Sequence, residues 1–529
     1  MPLWQQNYFP IGGSLAWSAV TAALPIVALL YAIGIRRAAA WKSSLIGFFA
    51  AVAVALFAYH MPPMLLLDSA LYGAAFGAFP IFWVVFWAIV LYRMTVDTGQ
   101  FEVLKDSIGH LTSDPSMQAL LIAFAFGAFL EGAAGFGTPV AVAAAILGGL
   151  GFSAFNAAGI CLLANTAPVA FGSIAIPLVT LAATTGLPIE DLSKWVGRLC
   201  APISLFIPAY LILVMGGPKA LRRVWPAAAI CGVSFAVTQF VVSNYIGPYL
   251  TDILSSLAAV VGLVALLQVW SPEGKVRLPS GRTFGQVVYA WSPYLLLVIF
   301  ILTWSADAVK AVLLQASVNI PWPGLHNMIE QMPPVVAKAA PYAALYRFRY
   351  LAEAGTACAF ATIASAVILR VGPARYCRIV FDSAKQLKFS FVSITSVLAL
   401  AFVMNYSGST ATLGLAFAAT GAAFPFFSAM LGWLGVFLTG SDTSSNALFG
   451  TLQQITATRL GFNPSLMAAA NSAGGVMGKM ISLQSIAVAA AAAGLPAADE
   501  PKLFRFTLKH SIFLACMIGL LALLYAHAL

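Results

Sequence analysis

Long apolar stretches separated by short polar breaks recur along the whole chain. They fall at about 14–34, 43–60, 64–93, 118–150, 157–186, 195–216, 224–246, 249–270, 287–305, 350–370, 387–405, 408–438, 443–458, 464–497 and 507–527. A helix needs roughly 20 such residues to cross a bilayer. The runs are unbroken mixtures of Leu, Ala and Phe, which favours helices over barrel strands because lipid-facing backbone must satisfy its own hydrogen bonds. The pattern predicts an all-α, polytopic helical membrane protein. Several runs exceed one span or carry Gly and Pro, so about 12–14 transmembrane helices are expected, with re-entrant pieces. No long polar insertion marks a second domain, and 1–529 reads as one integral membrane unit.

Composition agrees. Hydrophobic residues make up 61% and charged residues 8%, too few charges to coat a soluble enzyme. The net charge of +10 does not imply a nucleic-acid partner, because Lys and Arg collect in cytoplasmic loops. Arg36, Arg37 and Lys42 follow the first run, which places that loop in the cytoplasm and the N-terminus outside. Further basic loops lie at 93–105, 219–223, 275–282 and 370–388, whereas 243–248 and 321–334 are nearly free of Lys and Arg. The segment 1–13 lacks the basic start of a cleaved signal, so the first run reads as a retained helix. Residues 319–341 read as an external loop carrying a short surface helix.

The two halves echo each other. Phe129-Leu-Glu-Gly132, Leu150-Gly-Phe152 and Asn165-Thr-Ala-Pro-Val-Ala-Phe-Gly172 match Phe437-Leu-Thr-Gly440, Leu460-Gly-Phe462 and Asn471-Ser-Ala-Gly-Gly-Val-Met-Gly478. The offsets are 308, 310 and 306 residues. Two repeats are expected, one at about 64–216 and one at about 387–527. Paired, Gly-interrupted segments of this kind point to a carrier's binding site.

Three groups of residues carry candidate chemistry. Residues 129–139 are rich in Gly and Ala, which suits a helix that breaks in the membrane and restarts near Thr138-Pro139. Glu131 sits beside that break. An ionised carboxylate there costs at least ~2.5–3.5 kcal/mol, so it is expected to be paired or to hold a proton, unless it snorkels from a helix end. Residues 440–446 are seven small or polar residues between apolar runs. Ser441, Asp442, Thr443 and Ser444 there are good helix starters, and a half-helix beginning among them would aim its positive end at an anion. Asp442 is a second candidate for the proton. Asn165 and Thr166, and Asn471 and Ser472 in the second half, are polar positions inside apolar helices, suited to binding or to interhelical hydrogen bonds. Lys479 is the only Lys in 464–496; it either snorkels or meets a buried anion.

Other chemistry finds little support. Residues 473–480 look like a phosphate-binding loop, but Ala473 and Met480 replace its first Gly and its Ser or Thr. Cys161, Cys200, Cys231, Cys358, Cys377 and Cys516 form no C-x-x-C, and His60, His110, His326, His510 and His527 are scattered. Neither a metal site, a cofactor nor a nucleophile–base pair is expected, so the chain does not read as an enzyme.

At 129–139 continuing through 152, at 165–172, 435–448 and 470–488, and at 503–511, the sequence resembles the lactate permease family. These are bacterial proton-coupled carriers of L-lactate, D-lactate and glycolate, and the resemblance runs the full length. It implies a secondary transporter in the bacterial cytoplasmic (inner) membrane, whose partners are a small carboxylate, protons and the lipid bilayer. One position departs: Leu483 stands where the family has Pro, so the helix there must break by other means or run straighter. A carrier of another small organic anion, or one coupled to Na⁺, remains the alternative, since Ser, Thr and Asn oxygens also suit Na⁺.

Overall fold

Glycine and small polar residues set the interruptions on which this fold is built. The computed structural model describes residues 3–109, 111–135, 137–270, 272 and 282–528. His110 and the basic positions Lys275 and Arg277 lie outside them. Helices α1 (Leu15–Gly34) and α2 (Ala40–Phe57) form a hairpin. Helices α3 (Pro63–Phe76) and α4 (Trp83–Asp97) make one span, kinked where Phe79 is extended ahead of Pro80. A short amphipathic helix α5 (Gln100–Gly109) follows.

The next five helices are fragments. Helix α6 (Pro115–Gln118) is capped by Asp114 and runs through a widened turn into α7 (Gly127–Ala133). The chain breaks at 134–137, where Gly135 and Gly137 take positive φ of 56° and 81°, and α8 (Thr138–Gly149) turns back. Helices α9 (Ala154–Ala164) and α10 (Gly172–Thr185) form a broken span bent by 65°.

Helix α11 (Ile189–Val241) is interrupted at Gly217 (φ 70°) and so supplies two spans. Helices α12 (Thr251–Val269) and α13 (Phe284–Ser305) cross next, followed by α14 (Asp307–Leu314). Then come α15 (Ala354–Ile368), α16 (Pro373–Ser407) and α17 (Ser409–Phe417). The second fragmented set is α18 (Phe424–Thr439), α19 (Asp442–Leu460), α20 (Pro464–Lys479) and α21 (Leu483–Ala493), closed by α22 (Glu500–Ala528). Among the described residues 11 helices are long and apolar enough to cross a membrane, or 12 with the bent pair, counting Ile189–Ile246 once.

The surface helix expected within 319–341 is not there. That region folds as strands: β1 (Trp4–Gln5) pairs in parallel with β3 (Ile329–Gln331), which pairs with β4 (Ala340–Pro341). β2 (Val318–Pro321) pairs antiparallel with β5 (Leu345–Phe348). Its prolines at 321, 323, 333 and 334 oppose a helix; the helical turn lies just upstream, in α14.

The fragmented sets root at opposite ends. Asp114, ahead of α6, pairs with Arg223 beside the interruption in α11. The later part of α19 hydrogen-bonds Thr184 and Asn405 through Thr451, and Asn405 also meets the N-terminal Gln6. The first half of α11, from Ile189 to Gly217, separates those ends by about 40 Å at 1.5 Å per residue.

Candidate functional site

The break points of both sets meet around one cavity of about 250 Å³. Three half-helices begin at its wall: Gly137 precedes α8, Ser441 precedes α19, and Gln484 and Ser485 start α21. Gly172 and Ser173 line it too, but Ser173, Ile174 and Ala175 take positive φ of 47°, 58° and 60° before α10 becomes regular. Each start leaves backbone N–H groups unbonded within the helix and carries a partial positive charge. Such convergence favours an anion.

Gly440 makes one of these turns. At φ 72° it ends α18, and the Ser441 hydroxyl oxygen then accepts from the Ser444 N–H at 3.2 Å to start α19. Asp442, Thr443 and Ser444 line the cavity within that first turn. The Leu483 departure does not straighten the chain. Helix α20 ends at Lys479, and Ser482 caps α21 by accepting from the Ser485 N–H. Leu483 then takes the first helical position, where Pro is tolerated but not required.

Charge is distributed over both halves. Glu131, in the last turn of α7, is 3% exposed and its Oε1 lies 2.9 Å from the Lys479 ammonium at the end of α20. The carboxylate lies flat on Gly172, where a Cβ would stand 2.7 Å from Oε1. Asp442 is buried as well. Its Oδ2 accepts from Ser472 at 2.6 Å and from Asn446 at 3.4 Å, while Oδ1 has no protein partner. Asn446 also donates to Ser472 and to the Pro177 carbonyl of α10.

Of the residues singled out in the sequence, Glu131, Ser441, Asp442, Thr443, Ser444 and Lys479 line this one cavity. Asn165 and Thr166 do not; they border a separate narrow crevice that Lys479 and Ser485 also line, and among the described residues neither polar atom of the Asn165 side chain has a partner. Asn471 lies behind the wall, donating to Asn446 and accepting from Gln453. It thereby holds the residue that holds Asp442. Ser472 and Asn446 lie in segments that the sequence singled out, but sequence reasoning gave neither of them the role of holding Asp442. Asn446 stands four residues after Asp442 on one helix face, a spacing that allows contact.

The cavity runs toward the loop bearing Arg36, Arg37 and Lys42. Trp41 and Phe389 line it there and stack at 5.2 Å. The Lys42 ammonium sits 5.4 Å over Trp41 and that of Lys388 4.8 Å over Phe389. Ser44 and Ser393 join α2 to α16 just inside, at 3.1 Å.

Comparison with known proteins identifies the family. The chain is 44% identical to the L-lactate permease of Bacillus subtilis, over 99% of this chain and 98% of that one. It is 43% identical to the glycolate permease GlcA of Escherichia coli, over 100% and 99%. Among solved structures, Neisseria gonorrhoeae MtrF, described as illuminating a class of antimetabolite efflux pumps, aligns over 88% of this chain and 84% of its own, with 14% identity and a TM-score of 0.46. The L-lactate permease family matches residues 18–529, and this multi-pass membrane protein belongs to it.

Proposed function

We propose that the chain is a secondary transporter taking up lactate and related 2-hydroxymonocarboxylates such as glycolate, one proton with each anion, across the cytoplasmic membrane. The family and the names of the relatives support the substrate class. The observation that carries the coupling is the buried Lys479–Glu131 pair on the cavity wall. Paired, the two charges cancel. A carboxylate entering alone would leave a net negative charge in a low-dielectric site. If Glu131 takes a proton, Lys479 is released to the substrate carboxylate and the site is neutral again. Anion and proton therefore load together, and the membrane potential contributes nothing to an electroneutral cycle.

The half-helix starts and the hydroxyls of Ser441, Thr443 and Ser444 supply donors for the carboxylate and donor–acceptor partners for the 2-hydroxyl. Asp442, held by Ser472 and Asn446, orients that turn or shares the proton. Asn165 and Thr166 would shape the crevice that Lys479 also lines. The two fragmented sets, α6–α10 and α18–α21, serve as inverted repeats, and movement of one against the rest opens the cavity to alternate ends. The end bearing Arg36, Arg37 and Lys42 is cytoplasmic and the N-terminus external, so the cavity as seen faces inward.

The test is uptake of labelled L-lactate into proteoliposomes under an imposed pH or Na⁺ gradient, with glycolate and D-lactate as competitors. A pH gradient should drive accumulation and Na⁺ should not. Glu131→Gln should lose pH-driven accumulation while retaining some lactate-for-lactate exchange. Accumulation driven by Na⁺ alone, or full pH-driven accumulation in that variant, overturns the role of Glu131.

A further inference from the structure

Behind Glu131 lies a carboxylate that the substrate site does not use. Asp252, in the first turn of α12, is 1% exposed, and among the described residues neither of its carboxylate oxygens has a hydrogen-bond partner. An acidic residue in a first helical turn is ordinarily stabilised by the positive end of the helix, but no hydrogen bond from the protein reaches this carboxylate among the described residues. An ionised carboxylate without donors costs at least ~2.5–3.5 kcal/mol at membrane depth, so the group is stable there as the neutral acid.

Its position is set by Gly132, the residue after Glu131. A Cβ on Gly132 would stand 2.8 Å from the Asp252 Cβ and 3.1 Å from the Ile253 amide nitrogen. Only a glycine lets α12 abut α7 at that point. Glu131 lines the cavity and Asp252 does not. Asp252 is the only titratable residue of α12. Glu131 on α7 faces it, Cys200 on α11 is within electrostatic reach, and so is the Lys479 ammonium. Neither the widened turn at Ala119–Phe126 nor α10 carries a titratable side chain; ahead of α12, Tyr245 is exposed and Tyr249 is half-buried with Glu353, Glu190 and Arg349 as its charged neighbours. One lysine thus serves two neighbouring carboxylates, and it is bonded to Glu131.

We propose that Asp252 is the proton donor to Glu131, reached from the outer end and separate from the substrate cavity. The inference rests on the proton-coupled reading above. The O–H bond of Asp252 breaks and a new one forms at Glu131 Oε2, the oxygen without a partner. Oε1 then gives up Lys479 to the substrate. Asp252, left as a carboxylate, regains its proton from the outer end, where α12 starts. In the state described, Asp252 is sealed while the cavity reaches the basic end, so no proton crosses without the conformational change.

The experiment compares wild type, Asp252→Asn, Asp252→Glu and Glu131→Gln in proteoliposomes. Asp252→Asn should slow pH-driven uptake tenfold or more while leaving lactate-for-lactate exchange within twofold, and Asp252→Glu should restore part of the driven rate. In wild-type protein, dicyclohexylcarbodiimide, which attacks protonated carboxyls in apolar surroundings, should modify Asp252, read by peptide mass spectrometry. Wild-type pH-driven uptake in Asp252→Asn overturns the proposal, as does an equal loss of exchange and driven uptake, which marks a structural role. If Asp252→Asn fails to fold, Asp252→Glu with the carbodiimide decides: no adduct at Asp252 overturns it. Failure of the underlying reading looks different, because the wild type itself would then show no pH-driven uptake.

Discussion

The Lys479 ammonium and the Glu131 carboxylate, 2.9 Å apart, join the last turn of α20 to the last turn of α7 across 348 residues of sequence. Removing one partner of a buried pair leaves an uncompensated charge and costs about 3–5 kcal/mol. Lys479→Gln and Glu131→Gln should therefore each lower the melting temperature in detergent. The double variant should recover most of that loss and still fail to transport. Lys479→Arg should keep part of the binding. A double variant no more stable than the weaker single one would show that the pair is not what couples these helices.

Gly172 is small because Glu131 lies on it. Gly172→Ala should push the carboxylate away from Lys479 and reduce uptake at least tenfold, with folding intact. Gly149→Ala, where a Cβ meets nothing within 4 Å, is the control and should transport normally. Equal uptake by both variants would mean that Glu131 tolerates displacement.

Asp442 is held rather than merely exposed to the cavity. Ser472→Ala removes a hydrogen bond to a carboxyl, worth about 1 kcal/mol at the lower end, and should weaken apparent lactate affinity roughly fivefold. Asp442→Asn should fold and change affinity or pH dependence more strongly. An Asn variant unaltered in both would take Asp442 out of the site.

At the cavity mouth, Ser390 is reachable from the end bearing Lys42 and Lys388. With the exposed Cys377 replaced by Ser, Ser390→Cys should be inactivated by an impermeant thiol reagent at least tenfold faster in inside-out than in right-side-out vesicles. Lactate should slow the reaction. Equal rates would place the opening elsewhere.

Glu353, in the loop before α15, is pushed up to about 7 by burial, against the lowering influence of Arg349 and Lys310. Its folded value lies above its unfolded one. Its contribution to stability is therefore complete below about 4.5 and lost as pH rises through 7. Wild-type melting temperature should fall more between pH 5 and pH 8 than that of Glu353→Gln. Identical pH slopes would show that Glu353 ionises freely in the fold.

How much of this was visible beforehand depended on how locally each feature is determined. The breaks at 134–137 and 440–441 were legible because Gly and small polar residues are costly within an apolar span. Glu131 and Lys479 stood out as charges in apolar runs, but no local rule says that they meet. Asp442 was legible and its support was not: Ser472 stood out beside Asn471 as a polar residue in an apolar helix, but nothing local says that it meets Asp442 until α20 packs beside α19. Trp41 and Phe389 are two aromatic residues among many, on α2 and α16, and only the tertiary fold brings them to one mouth. Asp252 was missed because an acid in a first helical turn after Pro248 looks like routine capping. Proline-rich 319–341 was misread for want of a partner strand, since β1 lies over 300 residues away.

That distant partner has a consequence for biogenesis. Trp4 and Gln5 pair with Ile329 and Glu330, and the Gln6 side chain donates to the carbonyls of Asn405 and Tyr406. Most of the helices must already be inserted before this segment finds its place. Since non-local pairings form late, the N-terminal strand acts as a latch that closes on an almost finished carrier, and a fusion partner placed ahead of Trp4 would delay assembly without touching the substrate site.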